Sequence, residues 1–353
     1  MRLFKASKGL IGIDITSTAI KLLELKKSHD TYQVESHAVC SLRDGAVAER
    51  RIQDINYVTD SLKRAIDHAK PSTRNAVVAL PASMAITKML TFAAELNEQE
   101  IEERLMIESD RHLPFPFNEV AFDFACMGPA PLAAHLQQVM LVACRQQDVW
   151  QLTEPLVRAG LEPVAVDVET FAIERAFAAL RPQISAAYDS DASVALVDIG
   201  AQTSTFRVFH NARTVYVREN LQGSEPLTAA TQERYALSRE DALWARQHGG
   251  LPDDFQDVVL KPFLDAFAQS IARALQLYIA TSRQSPVGHI VLAGDINALP
   301  GLATFMADAC QLPVTPLNPL QTMPVNKRVD RQALTLNLPG LLTASGLAMR
   351  APL

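Results

Sequence analysis

The stretch LIGIDITSTAIKLLEL, residues 10–25, is the part of the chain on which our fold prediction depends. Its apolar residues alternate on both sides of the polar segment 14–18, a pattern typical of two strands joined by a tight turn. About half the chain later, residues 195–209 repeat the pattern as ALVDIGAQTSTFRVF, with Asp198 in the place of Asp14. Two such hairpins, each opening on an aspartate followed by small and hydroxylated residues, predict a duplicated architecture.

Each hairpin begins a similar succession of predicted strands and helices. In the first half we predict strands at 10–15, 19–25, 32–39, 76–80, 85–92, 120–126, 138–144 and 163–168, with a Pro-rich loop at 128–132, and helices at 54–69, 98–112, 148–159 and 170–180. In the second half we predict strands at 194–199, 205–209, 213–219 and 289–293, and helices at 226–235, 239–248, 254–282, 299–310 and 340–350. The polar segment 182–192 marks the expected boundary between the halves.

The order of these elements predicts an α/β fold in four parts. Residues 76–144 form a small inserted β-α-β-β unit, whose helix opens with Asn97 and Glu100 in a capping-box arrangement. The other parts are a first subdomain (1–75 plus 145–189), a second subdomain (190–224 plus 285–353) and a small helical subdomain (225–284).

Composition limits the class of protein. The chain has 353 residues, enough for two domains, and its 48% hydrophobic and 20% charged content is that of a globular protein. Its net charge of −6 argues against a broad nucleic-acid surface. The four cysteines are scattered without metal-type spacing, which favours a reduced, cytoplasmic setting.

The beginning of the sequence, MRLFKASKGLIGIDI, lacks the apolar run of a signal peptide. No segment approaches the roughly 20 apolar residues that span a bilayer. We therefore expect any association with a membrane to come through a partner protein.

The turns of the two hairpins suggest an anion site. Successive backbone N–H groups in a tight turn form a nest for anions, and the hydroxyls of Thr16, Ser17, Thr18, Thr203 and Ser204 add donors. An aspartate at the head of each turn does not bind phosphate directly, but it can orient the waters of a Mg²⁺ ion that does. The alternative is that both are ordinary hairpins in which Asp and Thr act as turn formers.

A third element supports the phosphate interpretation. Residues 291–302, VLAGDINALPGL, are predicted to run from a buried strand through Gly294 into a helix with Pro300 near its first turn. A glycine at such a junction lets a flat ligand approach the backbone closely. It is equally compatible with a simple strand-to-helix loop.

Taken in order, the three elements resemble the two phosphate motifs and the adenosine motif of the actin-like ATPase superfamily, which has a duplicated, ribonuclease H-like fold. Within it the sequence resembles the PilM family of cytoplasmic proteins of type IV pilus assembly. The segments that carry this resemblance are GIDITSTAIKLLEL (12–25), HLPFPFNEVAFDF (112–124), DVETFAIERAF (167–177), LSREDALWARQHGGLP (237–252), LAGDINALPGL (292–302) and GLAMR (346–350).

The resemblance implies a site for ATP and Mg²⁺. The implied nucleotide-binding residues are Asp14, Thr16, Ser17, Thr18, Lys21, Asp198, Gly200, Gln202, Thr203, Arg246, Gly294 and Asp295. Asp14 and Asp198 are expected to hold Mg²⁺ through water. Lys21 has a second interpretation, as a solvated strand residue.

Two acidic residues match the position of the carboxylate that orients the attacking water in hydrolytic relatives. Glu169 is the closer match, and Asp167 is expected on the same face of an extended strand, so that either is a candidate. The alternative for Glu169 is an acidic residue that interacts with a helix dipole.

Several positions depart from the family pattern. Thr16 and Asp295 stand where glycine is common, Gln202 replaces a small residue, and Leu243 and Arg246 replace the usual Glu and Lys of the nucleoside helix. Together they predict a weakened nucleotide site.

The resemblance implies a scaffold function. We expect the chain to bind the N-terminal cytoplasmic segment of PilN in a groove between the first subdomain and the 76–144 insert, peripheral to the inner membrane. ATP is then bound with little or no hydrolysis. The alternative is an active Mg-ATPase whose nucleotide state drives pilus assembly.

Overall fold

The protein is described by a computed structural model that covers residues 9–28, 31–131, 133–184, 192–282, 285–294, 299, 301–320 and 323–350. Two five-stranded sheets, one from each half of the chain, form its centre. A three-stranded sheet and a two-stranded hairpin lie outside these two sheets.

The first half contains ten strands and five helices. In chain order these are β1 (Leu10–Ile15), β2 (Ala19–Ser28), β3 (Thr31–Ser41), β4 (Val47–Ala48), β5 (Arg51–Ile52), α1 (Ile55–Ala69), β6 (Asn75–Leu80), β7 (Ile86–Ala93), α2 (Glu98–Ile107), α3 (Ser109–His112), β8 (Val120–Ala130), β9 (Ala133–Arg145), α4 (Gln146–Arg158), β10 (Glu162–Val168) and α5 (Glu169–Ile184), within the ranges described. Helix α1 begins after Asp54, whose carboxylate accepts a hydrogen bond from the N–H of Tyr57.

The second half follows the same plan with different helices. Its elements in the described ranges are β11 (Ser193–Ile199), β12 (Thr203–His210), β13 (Arg213–Gln222), α6 (Glu225–Tyr235), α7 (Arg239–His248), α8 (Lys261–Thr281), β14 (Val287–Gly294), α9 (Leu302–Cys310), β15 (Val314–Pro316), α10 (Arg331–Asn337) and α11 (Leu342–Ala348). Helix α7 begins after Ser238, whose hydroxyl accepts from the N–H of Asp241.

The two large sheets have the same strand order. The first is β3-β2-β1-β6-β10 and the second is β13-β12-β11-β14-β15. In both, a three-stranded antiparallel meander is extended by two parallel strands. This shared order is that of a duplicated α/β fold.

Helices cover both faces of each sheet. Helices α1 and α4 pack on one face of the first sheet, and α8 and α9 pack on one face of the second. Between the sheets, α11 lies against β1 and α5 lies against β11 and β14. The two helices touch each other through glycine, because a Cβ added at Gly346 would lie 1.8 Å from the carbonyl oxygen of Ala172. This contact between α5 and α11 joins the two halves of the chain.

The insert is a three-stranded antiparallel sheet, β7-β9-β8, covered by α2. Ile101 and Leu105 of α2 are buried against the sheet residues Val139 and Leu141. The predicted capping box is present, since Asn97 accepts from the N–H of Glu100 and Glu100 accepts from the N–H of Asn97. The insert therefore has a small hydrophobic core of its own.

The structure corrects the beginning of the insert. The predicted strand 76–80, expected to belong to the insert, is β6 (Asn75–Leu80) and pairs in parallel with β1 and β10 in the first large sheet. A short continuous apolar run such as NAVVAL is typical of a fully buried strand, but the run itself does not indicate which sheet contains it. The insert begins only after Leu80.

Other predicted boundaries also shift. The Pro-rich loop at 128–132 is mostly strand, because β8 is an edge strand in which Pro129 is tolerated next to a bulge at Gly128 (φ +97°). Helix α5 continues to Ile184, and residues 185–191 of the predicted linker lie outside the described residues. The predicted helix 254–282 opens with a π-helical turn, Gln256–Leu260, before α8. In the ranges described, no helix is both long and apolar enough to cross a membrane.

Candidate functional site

A cavity of about 370 Å³ opens between the two halves of the chain. The two predicted hairpins, the tip of the β4–β5 hairpin, the start of α5 and the end of β13 contribute to its walls. The predicted site residues that line it are Asp14, Thr16, Ser17, Thr18, Lys21, Glu169, Asp198, Gly200, Gln202, Thr203 and Gly294. The fold thus brings together residues that lie far apart in the sequence.

The first hairpin is closed by the side chain of Thr16. Its hydroxyl donates to the carbonyl of Ala19 (2.9 Å) and accepts from the N–H groups of Ala19 (3.1 Å) and Thr18 (3.4 Å). The N–H of Thr16 also donates to the carbonyl of Ala19 (2.9 Å). Two of the N–H groups that a phosphate nest requires are therefore bonded within the turn itself.

The second hairpin has the same register but another pattern of hydrogen bonds. The N–H of Gly200 donates to the carbonyl of Thr203 (3.1 Å), matching Thr16 and Ala19 in the first hairpin. The carbonyls of residues 200–202 accept from the N–H groups of residues 223–225. Among the described residues, the N–H groups of Ala201 and Gln202 have no protein acceptor. The second turn therefore presents donors that an anion can use.

The aspartates at the heads of the two hairpins, Asp14 and Asp198, lie close enough for their charges to interact. The pKa of Asp14 is raised from 3.8 to about 6, chiefly by burial, with a smaller contribution from the carboxylates of Glu169 and Asp198 and an opposing effect of Lys21 and Arg50. Lys21 is the residue directly opposite Asp14 in the β1–β2 register. The cavity therefore brings the carboxylates of Asp14, Glu169 and Asp198 close together.

The residues present are compatible with a Mg²⁺ ion held through water. Mg²⁺ usually takes one or two protein carboxylates and retains several waters, and Asp14 and Asp198 supply two carboxylates in one cavity. No group of three or more His, Cys, Asp or Glu side chains suited to a metal occurs in the part of the chain that the structure describes. This donor set fits a hydrated ion that also binds a ligand's phosphates.

The two candidate water-orienting carboxylates lie in different places. Asp167 is 4% exposed and forms ion pairs with Arg175 and Arg350, the latter at 3.1 Å. Glu169 lines the cavity. The prediction that both share one face is wrong, because β10 ends at Val168 and Glu169 already begins helix α5. Asp167 is a structural residue between α5 and the C-terminal segment, and Glu169 remains the candidate.

Three charged residues near the cleft, Arg50, Glu219 and Arg207, are not predicted from the sequence. Arg50 donates to Glu169 through Nη1 (2.9 Å), and its Nη2 lies 3.8 Å from Glu219. Arg207 is almost fully buried, and its Nη1 donates to Thr170 (3.4 Å). The two-residue turn at 49–50 contains no Gly or Asn, so the usual signal of a tight hairpin is missing.

The predicted adenosine side is only partly described. Gly294 has φ +91°, and a Cβ there would lie 2.2 Å from the carbonyl oxygen of Ile199, so glycine is required at this position. Asp295 lies outside the described residues. Arg246 donates to Thr228 of α6 (3.0 Å) and is not among the described residues that line the cavity. The predicted role of Arg246 in nucleotide binding therefore stays a prediction.

Comparison with known proteins agrees with this architecture. A family model described as type IV pilus assembly protein PilM matches residues 12–352. A chain from a PilM–PilN type IV pilus biogenesis complex is 26% identical, with 97% of this chain and 98% of that chain covered and a TM-score of 0.75. The ethanolamine utilization protein EutJ from Carboxydothermus hydrogenoformans is 14% identical, with 97% and 89% covered and a TM-score of 0.58, and shows the fold alone. The predicted actin-like fold is confirmed, and the chain belongs to the PilM family of type IV pilus assembly proteins.

Proposed function

We propose that this chain is a cytoplasmic scaffold of the type IV pilus assembly platform and binds the N-terminal cytoplasmic segment of PilN. The observation that supports this proposal is the similarity over 97% of the chain to a structure of a PilM–PilN complex. Attachment to the inner face of the inner membrane would then come from the partner.

The proposed binding site for the partner segment is the junction between the insert and the first subdomain. Strand β9 runs directly into α4, and α4 contacts both β8 and β9. At this junction the guanidinium of Arg145 stacks on the ring of Phe115 (4.0 Å), and Phe117 packs against Phe122. Trp150 of α4 is 49% exposed. Half-buried aromatic rings at the junction, and an exposed indole on the helix that begins there, suit a peptide that inserts apolar side chains.

Binding of a labelled partner peptide to matched tryptophan variants tests this site. Trp150→Ala removes an exposed indole at the junction, whereas Trp244→Ala removes a similarly exposed indole (60%) on α7 in the other half. We expect Trp150→Ala to weaken peptide binding about tenfold or more, as for a central aromatic contact, and Trp244→Ala to leave it unchanged. Equal affinities for both variants would place the partner elsewhere, and undiminished binding of a truncated partner would exclude its N-terminal segment.

We further propose that the cleft binds ATP with Mg²⁺ and hydrolyses it slowly or not at all. Asp14 and Asp198 would hold the ion through its waters, and Ala201 and Gln202 would donate N–H groups to phosphate oxygens. When bound, Mg²⁺ neutralises phosphate charge and orients the phosphates. The convergence of both hairpins and Gly294 on one cavity supports this proposal.

An active Mg-ATPase is the alternative, and the position of Glu169 in the cavity favours it. Affinity for a labelled ATP analogue and the rate of phosphate release distinguish the two. Binding without release supports the scaffold with a bound nucleotide, whereas release that Asp14→Ala and Asp198→Ala abolish supports the ATPase. Absence of binding would exclude both.

A further inference from the structure

Arg50 links the two halves of the chain across the cleft. Its Nη1 donates to Oε2 of Glu169, at the start of α5 in the first half, over 2.9 Å. Its Nη2 lies 3.8 Å from Oε1 of Glu219, on β13 in the second half. All three side chains line the cavity that also contains Asp14 and Asp198. The guanidinium therefore lies in the same cavity as the two aspartates proposed to hold the ion.

The backbone that carries Arg50 is strained. Glu49 and Arg50 have φ values of +50° and +60°, a left-handed conformation that residues with a Cβ rarely adopt. They form the two-residue turn between β4 and β5, in which Val47 pairs with Ile52 and Ala48 with Arg51. Two consecutive residues in this region persist only where other contacts hold them, and such strain is concentrated at functional sites.

Glu169 is already engaged in the structure. Besides Arg50, its Oε2 accepts from the N–H of Ala82 (3.4 Å). Arg207 contacts the neighbouring Thr170 through Nη1; burial lowers the pKa of this guanidinium, and the carboxylate of Glu169 is the largest of the influences that oppose the shift. A carboxylate paired with one arginine and close to a second is poorly placed to accept a proton from water.

We propose that Arg50 is a positioning residue that withholds Glu169 from the attacking water and so restrains hydrolysis of a nucleoside triphosphate in the cleft. This inference rests on the proposed nucleotide site. In hydrolysis, the water oxygen bonds to the γ-phosphorus while the bond from that phosphorus to the β–γ bridging oxygen breaks, and its electron pair leaves with the diphosphate. The proton of the water passes to Glu169 and then to solvent. Arg50 and the N–H of Ala82 both bond Oε2, so the carboxylate is held in one orientation and cannot turn toward the water without breaking the ion pair.

Variants of Arg50 test the proposal in the full-length chain. Single-turnover hydrolysis is measured with the protein in excess of Mg·ATP and at a concentration well above the Kd, so that changes in affinity do not enter the rate. Arg50→Ala is expected to raise the rate at least about tenfold, a modest part of what a general base contributes. Arg50→Lys, which keeps the charge, should stay close to the wild-type rate. Arg43→Ala is the matched control, since Arg43 is also paired with a carboxylate, Asp54, but on the exposed surface.

A double variant excludes a merely structural explanation. Adding Glu169→Gln to Arg50→Ala should return the rate to the wild-type level or below, because the carboxylate assigned to accept the proton is then lost. Arg50→Gln replaces Arg50→Ala if thermal unfolding shows that the alanine variant is not folded.

The binding of a labelled non-hydrolysable ATP analogue separates the two ways in which the idea can fail. If the Arg50 variants bind the analogue but hydrolyse ATP no faster, or if Glu169→Gln leaves a raised rate intact, the restraint is refuted while the nucleotide site stands. If neither wild type nor variants bind the analogue, the nucleotide site and the restraint fail together.

Discussion

The two hairpins at the cleft share one backbone plan but differ in the hydrogen bonds they leave available. Asp14 lies opposite Lys21, and Asp198 lies opposite Thr205 at the equivalent position. In the first turn, the hydroxyl of Thr16 bonds two backbone N–H groups. In the second turn, Gly200 has no side chain. The N–H groups of residues 223–225 bond only the carbonyls of this turn and leave two of its own N–H groups available. Among the described residues of the two turns, the adjacent N–H groups left available to an anion therefore lie in the second hairpin.

This comparison also changes the explanation of Thr16. From the sequence, Thr16 is one of the departures that predict a weakened site, because it stands where glycine is common in the family. Thr16 is not among the described residues with positive φ, so its backbone is ordinary. What distinguishes it from Gly200 is the hydroxyl. A change of one side chain therefore converts a potential anion nest into a self-bonded turn.

The largest expected effect comes from crowding the second hairpin. Gly294→Ala would place a Cβ 2.2 Å from the carbonyl of Ile199, directly before Gly200, at a residue with φ +91°. We expect a loss of roughly 3 to 5 kcal/mol in the free energy of unfolding, from overpacking and left-handed strain together. Urea unfolding measures it.

Gly301→Ala is the matched control for this variant. Gly301 also has a positive φ (+80°), but a Cβ there would meet nothing within 4 Å among the described residues. It should cost only about 1 kcal/mol, from backbone strain alone. Similar losses for both glycines would mean that the contact with Ile199 is relieved at little cost.

The second prediction concerns the charge of Asp14. Because burial raises its pKa to about 6, the folded state binds this proton more tightly than the unfolded state, and ionised Asp14 destabilises the fold above pH 6. Asp14→Asn should therefore stabilise the chain at pH 8 by up to about 3 kcal/mol. The gain should shrink as the pH falls from 6 and vanish below about pH 4, where Asp14 is neutral in both states.

Urea unfolding of wild type and Asp14→Asn at pH 4, 6 and 8 follows this gain directly. A difference in unfolding free energy that stays constant over this range would show that the pKa of Asp14 is not raised by folding.

The third prediction compares the two aspartates in ligand binding. Asp198 stands beside a turn with two available N–H groups, whereas Asp14 stands beside a self-bonded turn. Asp198→Ala should weaken binding of a Mg·ATP analogue about tenfold, the effect of losing one charged contact. Asp14→Ala should weaken it by roughly threefold or less, on the same scale. Isothermal titration at pH 7.5 measures both, and the opposite order would overturn the comparison.

The features that the sequence predicts correctly, such as the two hairpins, depend on residues that are close together in the chain. The alternation around Asp14 and Asp198 predicts both hairpins because strand periodicity and turn residues act over a few positions. The sequence does not indicate that Asp167 is a structural residue, because its ion-pair partners, Arg175 and Arg350, lie on different elements. Arg350 is 183 residues away in the chain.

The position of Arg50 in the cleft depends on similar long-range packing. Its turn has no glycine or asparagine to mark it, and its carboxylate partners, Glu169 and Glu219, come from opposite halves. Residue types that suit a turn, a strand or a helix cap can be recognised locally. Ion pairs that close a cleft depend on how whole sheets pack, which no short window of sequence contains.

The smallest effect expected, and the sharpest test of the comparison, is the removal of the Thr16 hydroxyl. Thr16→Gly frees the N–H groups of Thr18 and Ala19 and should tighten binding of a Mg·ATP analogue by roughly threefold, the value of one modest hydrogen bond. Thr16→Ala should do the same, because it also lacks the hydroxyl and suits the ordinary backbone at this position. Thr16→Ser keeps the hydroxyl and should bind like wild type. If glycine alone tightens binding, backbone freedom and not the hydroxyl separates the two hairpins; if neither variant does, the first hairpin serves only to shape the cleft.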